Sequence, residues 1–180
     1  MRVKLIALLE RTRIPVQIDI GFSDELTSKA ETIEYPNILP DLDSVRMKGY
    51  PKETVVAEKF HAMVRYAELN SRMKDYYDLW LIAATFEFEG RSIQKAIEAT
   101  FKQRDTEIPH ERPLSMSYEF ARASQTHWTT FLRKMGMENE QVMDLQVVME
   151  KIWKFLEHPL QSSINKTRST RNWIPHKGWK

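Results

Sequence analysis

The pattern of apolar and polar positions divides the chain into two unlike parts. In "IPVQIDIGF", Ile14, Val16, Ile18 and Ile20 alternate with Gln17 and Asp19. A period of two marks a half-buried strand, and Gly21 is placed to end it. "AETIEYP" and "DSVRMKGYP" read as two further short strands, each stopped at a proline, which cannot donate to a strand ladder. Residues 2–11 set Val3, Ile6 and Ala7 at helical spacing and are expected to form a short helix. Three strands in this first part make a sheet too small to stand as a domain.

From Pro51 onward the chain is expected to contain only helices. "PKETVVAEKFHAMVRYAELN" carries Val55, Val56, Phe60, Met63, Val64 and Ala67 as an apolar stripe. Pro51 suits a first turn, and Glu53 suits the positive end of the helix dipole. A second helix, capped by Asn70 or Ser71, is expected to run to about Thr85. "RSIQKAIEATFKQRD" gives a third, and "PLSMSYEFARASQTHWTTFLRKMG" a fourth closed by Gly136. "ENEQVMDLQVVMEKIWKFLEHP" gives a fifth, expected to stop at Pro159, with irregular chain after it. The expected class is therefore α+β: a partial sheet domain over 1–50, a helical bundle over 51–160 and a basic tail over 161–180. A small sheet with nothing over its second face is an unusual layout. The sheet is expected either to be completed by a segment outside this chain or to bind something.

Composition narrows the class. With 180 residues, 42% hydrophobic and 29% charged, the chain has room for one domain with a proper core, or one domain and an appendage. Cysteine is absent, which excludes a disulfide scaffold and a thiolate metal site and fits a reducing compartment. No apolar run approaches the ~20 residues of a membrane span. "MRVKLIALLERTRIP" has a short apolar patch followed by charges, not by a small-residue cleavage site. A cytoplasmic protein without membrane contact is expected.

The net charge of +2 says less than its distribution. After Glu157 there is no acidic residue, while Lys166, Arg168, Arg171, Lys177 and Lys180 are basic. Trp173 and Trp179 lie in the same tail. Such a tail either touches nucleic acid through phosphate contacts and stacking, or folds its tryptophans back onto the body. The second reading is preferred.

The candidate chemistry lies in "NSRMKDYYDLW". From Tyr76 to Ala84 nearly every residue is apolar or aromatic, the mark of a buried helix. Lys74, Asp75 and Asp78 sit at its start, and buried charge needs partners. Asp75 and Asp78 share one helix face. Lys59, beside Glu58 in "VVAEKFHAMV", lies one helix earlier. Antiparallel packing of the two helices would let Lys59 meet both carboxylates. Such a bridge can simply fix helix register and is weak evidence of function, and spacing alone favours that structural reading.

Asp19 is a further candidate. A carboxylate on the polar side of a strand can hold a divalent ion if others stand beside it, but an isolated one is ordinarily a solvated surface group. "DLD" at 41–43 falls in a proline-flanked loop with no Gly-Ser turn before it and is discounted. His61, His110, His127, His158 and His176 show no ligand spacing. There is no HExxH, Gly-rich phosphate loop or GxSxG, so zinc, P-loop and hydrolase chemistry have no motif to rest on.

"IPVQIDIGFSD", "YPKETVVAEKFHAMV" and "NSRMKDYYDLW", in this order, resemble the AbiEii/AbiGii-type toxin nucleotidyltransferases. The similarity continues through "AIEATFKQR" and the final "NWIPHKGW". The resemblance implies a small nucleotidyltransferase-like mixed sheet followed by a helical bundle. It implies Mg²⁺-dependent transfer of a nucleotide from an NTP. The toxins work in phage defence and type IV toxin–antitoxin systems, paired with a separate antitoxin, and some relatives modify tRNA ends. Carried over by position, Asp19 matches the strand carboxylate of the metal site. Lys59 matches a helix lysine near the nucleotide phosphates. Lys74, Asp75 and Asp78 match the last motif, in which Asp75 is the catalytic or orienting group and Lys74 a nucleotide contact.

The family's Gly-Ser turn and paired-Asp strand have no counterpart in this sequence. A truncated or split member is expected, with two of the three metal carboxylates upstream of residue 1. Mg²⁺ and an NTP then belong to the complete family member, and this chain alone is expected to lack a competent metal site. Two functions follow. One is a toxin that transfers a nucleotide to an acceptor such as tRNA. The other is a catalytically inactive module that engages an antitoxin or RNA. A purely structural helical protein comes third.

Overall fold

The computed structural model describes residues 1–20, 30–37, 41, 43–67, 72–137 and 144–180. Two antiparallel hairpins come first. Strand β1 (Arg2–Leu9) pairs with β2 (Thr12–Asp19), setting Leu5 opposite Val16 and Arg2 opposite Asp19. Strand β3 (Glu31–Tyr35) pairs with β4 (Val45–Gly49). The helix expected over 2–11 is thus a strand. Val3, Leu5 and Ala7 also alternate, and they meet Ile18, Val16 and Ile14 across the ladder. These cross-strand pairs and the ladder hydrogen bonds override a short helical spacing.

Each hairpin has one apolar and one more polar side. On β1–β2 the apolar side is not half-buried as expected: Leu5, Ile14 and Ile18 are 48%, 43% and 45% exposed. Strand period sorted the residues by side correctly, but among the described residues no second layer covers that side. Gly21 as a strand end, and Asn70 and Ser71 as helix caps, fall outside the described residues.

The helical body begins at Pro51. Its helices are α1 (Lys52–Tyr66), α2 (Met73–Thr85), α3 (Gly90–Gln103), α4 (Tyr118–Lys134) and α5 (Leu145–Ile164). The Ser117 hydroxyl caps α4 by accepting from the Phe120 amide. Gly136, just past its end, takes the left-handed φ of 71° that glycine tolerates best. Helix α5 is central and packs on α2, α3 and α4, while α1 packs chiefly on α3. Phe60, Tyr76, Ile97, Trp128, Ile152 and Phe155 lie in the resulting core.

Two expectations fail at the C-terminal end. Helix α5 does not stop at Pro159 but continues for another turn to Ile164. Proline removes one helical donor and leaves the carbonyl four residues back unpaired. That carbonyl, on Phe155, accepts instead from the Trp179 indole Nε1 at 3.2 Å, which also lies 3.2 Å from the Lys154 carbonyl. Nor is the tail irregular, or the region after Pro51 purely helical. Short strands β5 (Phe88–Glu89), β6 (Asn172–Ile174) and β7 (Gly178–Trp179) form an antiparallel sheet in that order.

The tail is tied down at several points. Buried Gln94 donates to the Thr167 carbonyl and accepts from the Ser169 amide. The Gly90 amide donates to the Arg171 carbonyl. A Cβ at Gly90 would meet the Ser169 hydroxyl and would stand 2.6 Å from the Arg171 carbonyl, so only glycine allows this approach. The Trp173 indole is buried and donates to the Ala83 carbonyl at 2.7 Å. The tryptophans fold back onto the body, as the preferred reading expected.

Candidate functional site

Helices α1 and α2 meet where Lys59 leaves the flank of the α1 stripe. Val56, Ala57, Phe60 and Met63 around it are fully buried. The Lys59 ammonium lies 2.8 Å from Asp75 Oδ1 and 2.6 Å from Asp78 Oδ2. Lys74, one turn before Asp78, reaches the same Oδ2 at 2.6 Å. Arg72 Nε lies 2.7 Å from Asp75 Oδ2.

Burial falls off from the inside outward. The Asp75 side chain is 3% exposed, Asp78 and Lys59 are 19% and 20%, and Arg72 and Lys74 are mostly in solvent. Asp75 Oδ2 is buried and has the Arg72 ion contact without an aligned hydrogen bond. Asp75 also stands in the first turn of α2, where the helix dipole favours negative charge.

Burial pushes the Lys59 ammonium toward losing its proton. Hydrogen bonds to Asp75 and Asp78, and the charges of both, outweigh that and raise its pKa above the ordinary lysine value. Burial likewise works to raise the Asp78 carboxyl. Hydrogen bonds from Lys59 and Lys74 overcome it and hold the group below the ordinary aspartate value. Both shifts favour the charged forms, so Lys59 and Asp78 are ionised together across the neutral range. Three cations stand against two carboxylates, leaving a surplus positive charge with its outer groups reachable from solvent.

Four of the expected site residues, Lys59, Lys74, Asp75 and Asp78, come together here. Asp19 has other partners. Its carboxylate takes Arg2 Nε at 2.7 Å, Arg2 Nη2 at 3.1 Å and the Gln17 amide at 3.0 Å. The Arg2 contact holds its pKa below the ordinary value. Alternation correctly put Asp19 on the polar side of β2, but Ile18 and Ile20 opposite it face no core among the described residues. Glu58 turns away from the cluster and pairs with Arg104 at 3.1 Å.

Arg72 is the group that the spacing argument left out. Its signal was its place three residues before Asp75, within reach on one helix turn. The histidines build no site. His61 and His158 bond the Thr106 and Ser169 hydroxyls. Among the described residues no group of three or more His, Cys, Asp or Glu could hold a metal ion.

Against this geometry stands one comparison with known proteins. The family model described as "Nucleotidyl transferase AbiEii toxin, Type IV TA system" matches residues 1–157. That stretch takes in Asp19 and the whole Lys59 cluster and ends within α5. No curated protein and no solved structure matches the chain.

Proposed function

This chain belongs to the nucleotidyl transferase AbiEii toxin family of type IV toxin–antitoxin systems, and on that premise we propose that it transfers a nucleotide from an NTP to a nucleic-acid acceptor such as a tRNA end. Its protein partner is then a cognate antitoxin. Among the described residues no helix is long and apolar enough to cross a membrane.

The observation that carries the reading is how Lys59 is held. An ammonium has three N–H donors. Two go to Asp75 and Asp78. The third has no partner among the described residues, and the side chain keeps a solvent-facing edge. A lysine fixed in this way offers one aimed donor to a phosphate oxygen without reorganising, which is how a preorganised site stabilises developing charge. Lys74 and Arg72, on the outside, supply further positive charge for the polyphosphate. Asp75 is too enclosed to touch an acceptor. We assign it, with Asp78, to positioning Lys59.

In the transfer, an acceptor hydroxyl attacks the α-phosphorus, the bond to pyrophosphate breaks, and the hydroxyl proton leaves to solvent. A divalent ion, when bound, would neutralise charge on the phosphates. The described residues do not fit one. No group of three or more potential ligands gathers among them, and the Asp19 carboxylate is occupied by Arg2 and Gln17. With Arg2 and Gln17 holding its carboxylate, no step of the transfer is assigned to Asp19.

The alternative is an inactive module that engages an antitoxin or RNA. The apolar side of β1–β2, which no described residue covers, favours it, because an exposed apolar face of that kind ordinarily meets a partner. One experiment separates the two. The folded chain is incubated with each α-labelled NTP, Mg²⁺ and total tRNA. Label that enters RNA and is lost in Lys59→Gln supports transfer at this cluster. Label that persists in Lys59→Gln contradicts it. NTP binding without label in RNA supports the module.

A further inference from the structure

At the far end of α2 from the Lys59 cluster, the folded tail closes a concavity. A pocket of about 580 Å³ lies between α2, α5 and the β6–β7 turn. Trp80, Trp173 and Trp179 line it together with Lys151, Lys154 and Lys177, and no carboxylate does. Its volume is within the range of small-ligand sites, roughly 300–1,000 Å³.

The aromatic part is rigid. Trp173 and Trp179 pack against Phe155 with centroids 5.0 and 6.1 Å away. Both indole N–H groups are engaged by backbone carbonyls. The rings therefore offer π surface and no donor. Trp80 and Trp179 stay partly open. The cationic part is unspent. Lys151 and Lys154 share a face of α5, and none of the three lysines has an ion-pair partner among the described residues.

Aromatic faces flanked by uncommitted ammonium groups match one ligand chemistry: a planar base that carries a phosphate. A further concavity of about 350 Å³, lined by Arg91, Lys95, Lys166 and Arg168 and by one carboxylate, Glu98, borders the same tail. Two basic hollows along one acid-free segment suit a strand better than a lone nucleotide. We propose that the C-terminal tail builds a single-stranded nucleic-acid site, in which a base stacks in the tryptophan pocket and the phosphates follow the basic residues. The site is built by the tail together with the outer faces of α2 and α5. It needs neither an NTP nor the Lys59 cluster, so it can hold or fail independently of the transfer reading.

The test is fluorescence anisotropy of a labelled single strand of about 12 nucleotides, without NTP or Mg²⁺. The 180-residue chain is compared with Lys151→Glu/Lys154→Glu and with an equal charge change on the hairpins, Lys4→Glu/Lys48→Glu. The pocket pair is expected to weaken binding by about tenfold or more and to flatten its dependence on salt between about 50 and about 200 mM. The hairpin pair should change it less than about threefold. Tryptophan fluorescence should be quenched by the strand, and less so in Trp80→Leu. Equal losses in the two charge pairs would overturn the proposal, since general attraction would then explain binding. So would a mononucleotide that competes as tightly as the strand, or a folded chain that binds no strand at low salt.

Discussion

The Trp179 indole nitrogen lies 3.2 Å from the carbonyl oxygen of Phe155, the acceptor that Pro159 deprives of its helical donor. The tail thus repairs a defect inside α5, and each depends on the other. Trp179→Phe keeps an aromatic ring but removes the donor, at an expected cost of about 1–2 kcal/mol in urea denaturation. Pro159→Ala restores a backbone N–H for the same carbonyl. In that background Trp179→Phe should cost clearly less. Equal costs in both backgrounds would show that the indole contributes packing only.

Gly90 tests how closely the tail must dock. Gly90→Ala places a methyl group against the Ser169 hydroxyl and the Arg171 carbonyl. Forcing backbone apart at a packed contact costs on the order of 1–3 kcal/mol. The tail should become more readily cleaved by protease, with the helical core still folded by circular dichroism. Unchanged proteolysis and melting temperature would contradict the docking described here.

The ion pairs should be unequal. Lys59→Met leaves two enclosed carboxylates without their inner cation, expected to cost about 3 kcal/mol. Lys74→Ala removes an exposed partner and should cost less than about 0.5 kcal/mol. Chemical denaturation of the two variants checks the order, and the reverse order would mean that Asp78 is held from outside.

The pH dependence follows from the shifted groups. His61 and His158 are both held below the ordinary histidine value, first by burial and then by nearby arginines. The unfolded chain therefore binds more protons than the folded one below about pH 6.5, and stability should fall as pH drops through that range. The depressed Asp78 adds a second loss below about pH 4. The raised Lys59 keeps its contribution until pH rises above the ordinary lysine value near 10.4. Melting temperature should thus hold from neutral to mildly alkaline pH. Replacing His61 and His158 by Gln should flatten the step near pH 6.5, and an unchanged step would assign it elsewhere.

Much of this molecule could be read from residue spacing, for identifiable reasons. The Lys59–Asp75–Asp78 contact was legible because charge on apolar helices has few ways to be satisfied. The strand at Thr12–Asp19 was legible from strict alternation. Strand β1 was misread because Val3, Ile6 and Ala7 fit a helix about as well as Val3, Leu5 and Ala7 fit a strand, and only pairing with β2 decides between them. Pro159 misled because a helix-breaking rule is local, whereas the donor that offsets the break comes from Trp179, far along the chain. The pocket lined by Trp80, Lys151 and Trp173 was hidden for the same reason. Its parts come from three separate elements that only the fold brings together.

The central claim is that Lys59, positioned by Asp75 and Asp78, contacts the phosphates of a nucleotide. Calorimetric titration of the folded chain with each of the four NTPs tests it most directly, because binding needs neither an acceptor nor turnover. At least one NTP should bind. Lys59→Gln and Asp75→Asn should each weaken it by about tenfold or more, about 1.4 kcal/mol, at a temperature where both variants remain folded. Lys4→Ala, on the β1–β2 hairpin, should not. NTP binding of undiminished strength in folded Lys59→Gln would contradict the claim and leave the cluster as a bridge between α1 and α2.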